Sequence, residues 1–238
     1  MSPHPAAGWL AALADLVWPL ACGGCAEEGV RWCAECARLL TGPARPTSPT
    51  PPPAGLPRVW AVATYEGVIR TAVISWKDEG RHDLTSVLAG ALTTSVLAAA
   101  DASGVPELWL VPMPSRARAR RTRGGDPVRE LAVRAASACR REDRLVRMLP
   151  VLRHVRAVAD QSGLDAAARS ANVGGAFGVR GGSRPALASA PCLLVDDVVT
   201  TGATLAEAAA VVRRAGGRPI AAAVVAATQR RLDVPRGG

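Results

Sequence analysis

The chain has 238 residues, of which 49% are hydrophobic and 21% are charged, and this composition excludes a wholly disordered protein. The length fits one catalytic-sized domain with a small appendage, since domains usually have about 100–200 residues. The net charge of +9 arises between Arg116 and Arg156, where 13 arginines outnumber 4 carboxylates. Such a block can contact nucleic acid, a membrane surface or a phosphorylated small molecule, or it can be a solvated face.

The first segment of the chain is apolar from Ala6 to Ala21 but contains Asp15 and Pro19, and no basic region precedes it. It is shorter than the roughly 20 apolar residues of a membrane span and lacks the form of a signal peptide. We therefore predict an amphipathic helix over Trp9–Trp18, no membrane span and a cytoplasmic protein, in which disulfides are not expected.

Four of the six cysteines form two Cys-x2-Cys pairs, made by Cys22 with Cys25 and by Cys33 with Cys36. Two such pairs can supply the four thiolates of a tetrahedral zinc site, and a closed site of this kind has a structural role. An iron–sulfur cluster and two disulfides are the alternatives. We predict a structural zinc knuckle within residues 1–42, and we expect the other two cysteines to be buried apolar side chains.

Beyond the knuckle the composition changes twice. Seven prolines between Thr41 and Pro57 predict a semi-rigid linker over residues 43–57. From residue 58 to 238, apolar strand-like runs alternate with helix-like patterns. The predicted elements are strand Val59–Ala63, helices Val68–Trp76 and Leu84–Ala100, strand Leu108–Val111, helix Val128–Cys139, strand Cys192–Val195, helix Leu205–Ala215 and strand Ile220–Ala226. This order predicts an α/β domain with a mostly parallel sheet flanked by helices.

The most informative segment, Cys192–Leu205, places a hydrophobic strand before two adjacent carboxylates, Asp196 and Asp197, a Thr/Gly-rich turn and a helix. This order brings backbone N–H groups to the carboxyl edge of the sheet, where α/β folds bind ligands. The threonine hydroxyls can donate to a phosphate, and the carboxylates can accept from ribose hydroxyls or bind magnesium. Thr204 and Glu207 have capping-box spacing, so we expect the helix to begin there.

This segment resembles the phosphoribosyl-diphosphate (PRPP) signature of the type I phosphoribosyltransferases. In that family the two acidic residues bind the ribose hydroxyls, and the Thr/Gly loop holds the 5-phosphate. The resemblance implies a catalytic and PRPP-binding role for Asp196 and Asp197, together with magnesium. It implies a phosphate cradle formed by Thr200, Thr201, Gly202, Ala203 and Thr204.

Other segments resemble the ComF/GntX type of this family, which combines a four-cysteine knuckle, a linker and a phosphoribosyltransferase domain. The matching segments are Trp76–Arg81, Val111–Arg116 with Arg118–Gly124, and Asp160–Phe177, which resemble a lysine-containing segment, a pyrophosphate loop and a flexible loop. The resemblance implies that Lys77, Arg116 and Gln161 bind PRPP. Relatives often continue Arg-Gly-Phe-Asn-Gln after the basic run, whereas this chain has Gly125, Asp126 and Pro127 after Arg-Gly.

The resemblance implies magnesium-dependent phosphoribosyl transfer to an acceptor that the residues do not specify. Purine-salvage enzymes carry an aspartate where Thr200 stands, which disfavours a purine acceptor. One alternative is a regulator that senses PRPP or a nucleotide without chemistry. Another is an accessory factor of competence and DNA uptake that binds single-stranded DNA. No aromatic residue interrupts the stretch from Arg116 to Arg156, which argues against base stacking by that block.

Overall fold

The computed structural model describes residues 20–115, 125–155 and 175–228. The helix predicted over Trp9–Trp18 lies outside these residues. The described helices are α1 (Ala34–Arg38), α2 (Gly67–Asp78), α3 (Thr85–Ser103), α4 (Pro127–Arg141), α5 (Arg184–Ser189) and α6 (Ala203–Arg214). The described strands are β1 (Arg45–Thr47), β2 (Arg58–Thr64), β3 (Glu107–Pro112), β4 (Leu145–Met148), β5 (Leu152–His154), β6 (Phe177–Val179), β7 (Cys192–Val199) and β8 (Pro219–Ala227).

Six of these strands form one sheet in the order β1-β2-β8-β7-β3-β4. β1 is antiparallel to its neighbour, and the other four pairings are parallel. β5 and β6 form a separate antiparallel ribbon. The prediction of a mostly parallel α/β sheet, flanked by helices and accompanied by an N-terminal four-cysteine cluster, is thus confirmed.

Both faces of the sheet are covered, which explains why its central strands are continuous apolar runs. Leu193 and Val195 of β7 pack on one face with the apolar sides of α2, α3 and α4. Cys192 and Leu194 pack on the other face with α6 and the ribbon. Cys192 is fully buried, and burial raises the pKa of its thiol to about 12, as expected for a cysteine that acts as a small apolar side chain.

The connections that follow the neighbouring strands β3 and β7 run to opposite sides of the sheet. After β3 the chain passes through α4 to the edge strand β4, whereas after β7 it passes through α6, on the opposite face, to β8. Neighbouring parallel strands whose connections leave in opposite directions open a crevice at their carboxyl ends. A crevice is therefore expected at the carboxyl ends of β3 and β7.

The helical stretch His82–Ser103, which includes α3, is long and apolar enough to cross a membrane, with a mean hydropathy of 1.4. However, 61% of the most apolar 18 residues of this stretch is buried inside the protein. Leu88, Leu92 and Val96 lie in the core between α3 and the sheet. This stretch is therefore built like the core helix of a folded domain.

The proline-rich segment predicted as a linker takes part in the fold. Its residues 45–47 form β1, which pairs with β2 at the edge of the sheet. The knuckle also contacts the larger unit, because Arg81 Nη2 donates hydrogen bonds to the carbonyl oxygens of Ala21 (3.0 Å) and Arg31 (3.3 Å). Part of the predicted linker is therefore an edge strand of the sheet.

Candidate functional site

The acidic pair lies inside β7 and does not end it, because the strand continues to Val199. The prediction of a strand over Cys192–Val195 was too short for this reason. β3 pairs with β7 only as far as Val195, where the Met113 N–H donates to the Val195 carbonyl oxygen at 2.9 Å. From Asp196 onward β7 retains β8 as a neighbour but extends beyond the end of β3. The acidic pair therefore stands at the crevice between β3 and β7.

Lys77, in the last turn of α2, contacts Asp197. Its Nζ lies 2.6 Å from Asp197 Oδ2, and the two side chains are 33% and 3% exposed. Residues far apart in sequence thus meet at the acidic pair, since α2 covers the face of the sheet to which Asp197 points. The resemblance implied that Lys77 binds PRPP, and in the structure its ammonium contacts the Asp197 carboxylate.

Asp196 differs from its neighbour in exposure and partners. It is half-buried, and its Oδ1 accepts a hydrogen bond from the Asp197 N–H at 2.9 Å. Alternation along the strand directs it to the opposite face from Asp197, the face of α6. Burial, and secondly the neighbouring Asp197 carboxylate, raise the pKa of Asp196 well above its usual range, while the Lys77 ammonium offsets part of this effect. The two aspartates are therefore chemically unequal.

The turn between β7 and α6 contains the five residues predicted to cradle a phosphate. Thr200 and Thr204 are exposed, and Gly202 is buried with a φ of +74°. The Thr201 Oγ1 accepts a hydrogen bond from the Ala203 N–H at 3.4 Å. The turn thus presents two exposed hydroxyls beside the first turn of a twelve-residue helix, whose leading N–H groups have no partners within the helix.

The predicted capping box is wrong. α6 begins at Ala203, its N-cap is Gly202, and no side chain caps the helix. The Glu207 Oε1 instead accepts a hydrogen bond from the Ala176 N–H, just before β6, at 2.7 Å. The capping-box spacing was misleading because this tertiary contact competes for the same carboxylate.

The β5–β6 ribbon contacts both the segment that follows β3 and helix α6. At one end the Glu207 contact attaches it to α6. At the other, the His154 Nε2 lies 2.8 Å from the Pro114 carbonyl oxygen, and a carbonyl can only accept, so Nε2 carries the proton. His154 also packs against Phe177 with ring centroids 4.9 Å apart. This ribbon had no counterpart among the predicted elements, because its three-residue strands are too short to show a pattern.

The departure at Gly125-Asp126-Pro127 has a structural explanation. Asp126 is the N-cap of α4, its Oδ1 accepts from the Arg129 N–H at 3.3 Å, and Pro127 occupies the first turn. The same carboxylate accepts from the Ser115 hydroxyl at 2.8 Å. Asp126 therefore caps the start of α4 and is bound to Ser115, three residues beyond the end of β3.

Several predicted ligand contacts lie outside the described residues, including Arg116, Gln161 and the arginines from 118 to 123. Within the described part of the arginine block, several arginines are paired with carboxylates. Arg134 contacts Glu130 (2.9 Å), Arg147 contacts Glu107 (3.5 Å), and Arg144 contacts Asp101. These pairs reduce the positive potential that this face offers to a polyanion.

The four cysteines of the knuckle converge. Their sulfur atoms all lie within 4.8 Å of one another, and the Cys22–Cys36 and Cys25–Cys33 distances are both 3.6 Å. A tetrahedral zinc with bonds of about 2.3 Å requires sulfur atoms roughly 3.8 Å apart. The four residues can therefore hold a metal ion such as zinc with little rearrangement.

The environments of the four thiols differ. Although burial opposes its ionisation, N–H donors including those of Cys25 and Cys33 lower the pKa of the Cys22 thiol to about 6. Burial raises the pKa of the Cys36 thiol. A Cβ at Gly24 would lie 3.0 Å from the Cys36 sulfur and 2.6 Å from Val68 of α2, so only glycine fits between the cluster and α2. The four thiols are therefore already close together, and the knuckle packs closely on α2.

Comparison with known proteins adds no assignment. No protein-family model matches the chain, and no curated protein matches it.

Proposed function

We propose that the chain binds PRPP with magnesium at the acidic pair and the Thr200–Thr204 turn, and transfers the phosphoribosyl group to an acceptor. The observation that carries this proposal is the position of Asp196 and Asp197 beside a hydroxyl-rich turn at the β3/β7 crevice. Acceptor oxygens for a sugar and donors for a phosphate are thus adjacent. The resemblance to ComF-type proteins supports the same assignment.

In this proposal each group has a role set by its chemistry. The exposed hydroxyls and N–H groups of the turn donate to the 5-phosphate, and the N-terminus of α6 favours its negative charge. Asp196 accepts from ribose hydroxyls, and Asp197 supplies a second negative charge beside it. Carboxylate oxygens are ligands that magnesium prefers, and Asp196, the more exposed carboxylate of the pair, would hold this ion on its side of the strand. When bound with PRPP, magnesium would neutralise charge on the departing diphosphate.

The proposed transfer breaks the C1–O bond to pyrophosphate and forms a C1 bond to the acceptor, through a sugar with oxocarbenium character. Carboxylates close to the ribose favour this developing positive charge. The β5–β6 ribbon would shield the crevice from water, since it joins the end of β3 to α6. We further propose a structural zinc in the knuckle and a cytoplasmic protein.

Calorimetric titration of PRPP with magnesium tests the binding. Asp196→Asn should weaken the affinity about ten- to a hundred-fold, since a lost charge-assisted hydrogen bond costs about 1.5–3 kcal/mol. Asp101→Asn, at an exposed ion pair at the far end of α3, is the matched control and should bind as wild type does. Absence of binding to wild type, or equal affinity in Asp196→Asn, would remove this site from consideration.

A screen of nucleobases and amines for PRPP-dependent pyrophosphate release tests the transfer. Pyrophosphate release with one class of acceptor supports the proposal that the protein is a phosphoribosyltransferase. Tight binding without release under any acceptor favours the PRPP-sensing regulator. Single-stranded DNA that binds in high salt and is not displaced by PRPP would favour the DNA-uptake accessory factor, because contacts to phosphate alone weaken steeply with salt.

A further inference from the structure

Arg81 is the residue through which the turn after α2 reaches the knuckle. Its Nη2 donates hydrogen bonds to the carbonyl oxygen of Ala21 at 3.0 Å and to that of Arg31 at 3.3 Å. Ala21 directly precedes Cys22, and Arg31 lies two residues before Cys33. One guanidinium group therefore binds the backbone just ahead of both Cys-x2-Cys pairs.

These carbonyl oxygens belong to the part of the backbone that shapes the cysteine cluster. The Arg31 oxygen also accepts from the Gly23 N–H at 3.0 Å, which joins the turn of the first cysteine pair to the segment that leads into the second. Close by, the Cys22 N–H donates to the Glu27 carbonyl oxygen at 2.8 Å. Arg81 thus binds where the two pairs are already joined, so its loss should affect both of them.

Asp83 fixes the direction in which the guanidinium group points. Its carboxylate accepts from the Arg81 Nε at 2.9 Å and from the Nη2 at 2.8 Å, which is the two-point geometry of an arginine–carboxylate pair. The two side chains are 29% and 19% exposed. The Nη2 has two hydrogens and three acceptor oxygens around it, so one hydrogen is shared. A lysine could supply the charge here but not this arrangement.

The backbone that carries the arginine is also held. The Arg81 N–H donates to the Ser75 carbonyl oxygen at 3.1 Å, across the turn at Gly80. The residues that follow pack on the knuckle, because a Cβ at Gly23 would lie 2.6 Å from Cδ1 of the buried Leu84. A polar contact and an apolar contact therefore attach the same turn to the knuckle, and Arg81 extends from a fixed support.

We propose that Arg81 is a positioning residue for the metal in the knuckle, which holds the backbone of both cysteine pairs so that the four thiolates keep their binding geometry. The inference rests on the proposed metal site and is independent of PRPP binding. A divalent ion neutralises two of the four thiolate charges, so the thiolates still repel one another and need support from outside. Groups that orient metal ligands in this way typically contribute about ten- to a hundred-fold to metal affinity.

Competition between the full-length protein and a chromogenic zinc chelator measures the zinc affinity of each variant. Arg81→Met, which keeps an unbranched side chain but loses the guanidinium group, should bind zinc about ten- to a hundred-fold more weakly than wild type. Arg213→Met is the matched control, because Arg213 also donates to a backbone carbonyl, that of Gly55 in the proline-rich segment, at 3.1 Å. The control should bind zinc as wild type does. Wild-type affinity in Arg81→Met overturns the proposal.

Arg81→Lys separates positioning from charge. A lysine keeps the positive charge but cannot bind the Asp83 carboxylate at two points, so it should recover only part of the lost affinity. The loss in Arg81→Met should persist at about 1 M salt, where the Debye length is about 3 Å, because it arises from hydrogen bonds. Full recovery by lysine, or a loss that disappears in high salt, shows that Arg81 acts through charge alone and overturns the proposal.

Cobalt(II) in place of zinc reports on the arrangement of the thiolates. The absorption of cobalt depends on the type and geometry of its ligands. At saturating cobalt the bands of Arg81→Met should shift or broaden relative to wild type, whereas those of Arg213→Met should not. An unchanged spectrum in Arg81→Met assigns the lower affinity to a general loss of stability, and a positioning role is then wrong.

Arg81→Met leaves the Asp83 carboxylate without its partner and could fail to fold. The double variant Arg81→Met/Asp83→Asn removes that charge, and it should bind zinc as weakly as is expected for Arg81→Met. A double variant with wild-type zinc affinity overturns the proposal. Where neither variant folds, Asp83→Asn alone, which keeps the arginine but loosens it, decides in the same way. If wild type binds neither zinc nor cobalt, the proposed metal site and this inference both fail, while the PRPP titration still decides the proposed activity.

Discussion

Gly202 is the position at which the candidate phosphate turn is most sensitive to substitution. Its φ of +74° lies in the left-handed region, and a Cβ there would come within 2.9 Å of Leu56 Cδ2 and 3.1 Å of Pro49 Cγ. Both neighbours belong to the proline-rich segment, which thus forms the wall behind the turn. We predict that Gly202→Ala destabilises the protein by two separable effects.

The magnitudes follow from a matched pair of glycines. The left-handed conformation costs an alanine about 1–2 kcal/mol, and forcing a methyl group into a packed wall costs about 1–3 kcal/mol more. Gly80 has nearly the same φ, +75°, but a Cβ there would meet no atom within 4 Å. Gly80→Ala should therefore cost only the conformational part, and the difference between the two variants measures the packing against Leu56 and Pro49.

Urea denaturation at fixed pH and metal content provides the measurement, with the free energy of unfolding of each variant compared with wild type. In a Leu56→Ala background the cost of Gly202→Ala should fall by at least about 1 kcal/mol, since the closest contact is gone. Equal costs at Gly202 and Gly80, or strict additivity with Leu56→Ala, would refute the reasoning that the proline segment supports the turn.

Three further predictions concern other parts of the molecule. Because the knuckle has four cysteine ligands, purified protein should contain about one metal ion per chain. Cys33→Ser or chelation should lower the melting temperature of the whole protein, because the knuckle packs on the sheet unit. An unchanged melting temperature would argue against this. Asp126→Ala should cost about 0.5–2 kcal/mol in urea denaturation through loss of the N-cap of α4, whereas Asp126→Asn, which keeps an acceptor oxygen, should cost less. Burial and the neighbouring carboxylate raise the pKa of Asp196. The contribution of Asp196 to stability is therefore complete below about pH 4 and is lost as the pH rises through the pKa of the folded state. Asp196→Asn should for this reason raise the free energy of unfolding at neutral pH. A variant that is equally or less stable than wild type at pH 7 would contradict that sign.

Much of the architecture could be predicted from local pattern. Long apolar runs such as the one from Cys192 to Val195 indicated buried parallel strands, and helical periodicity indicated the main helices. The Cys-x2-Cys spacing predicted that four thiols would converge, since each pair needs only a tight turn. The segment after Val195 indicated where carboxylates and hydroxyls would be concentrated. These features are local, so that neighbours in sequence suffice to determine them.

Tertiary contacts decided the rest. The partner of Asp197 is Lys77, 120 residues away, and only the packing of α2 on the sheet brings them together. The same is true of Glu207, whose local capping role was displaced by a distant N–H group, and of the proline segment, whose three-residue strand is stable only because β2 offers an edge. Short elements and buried ion pairs gain their stability from surfaces that exist after the sheet has formed. For this reason the sequence by itself determined which chemical groups this protein has, and the tertiary structure decided which of them meet.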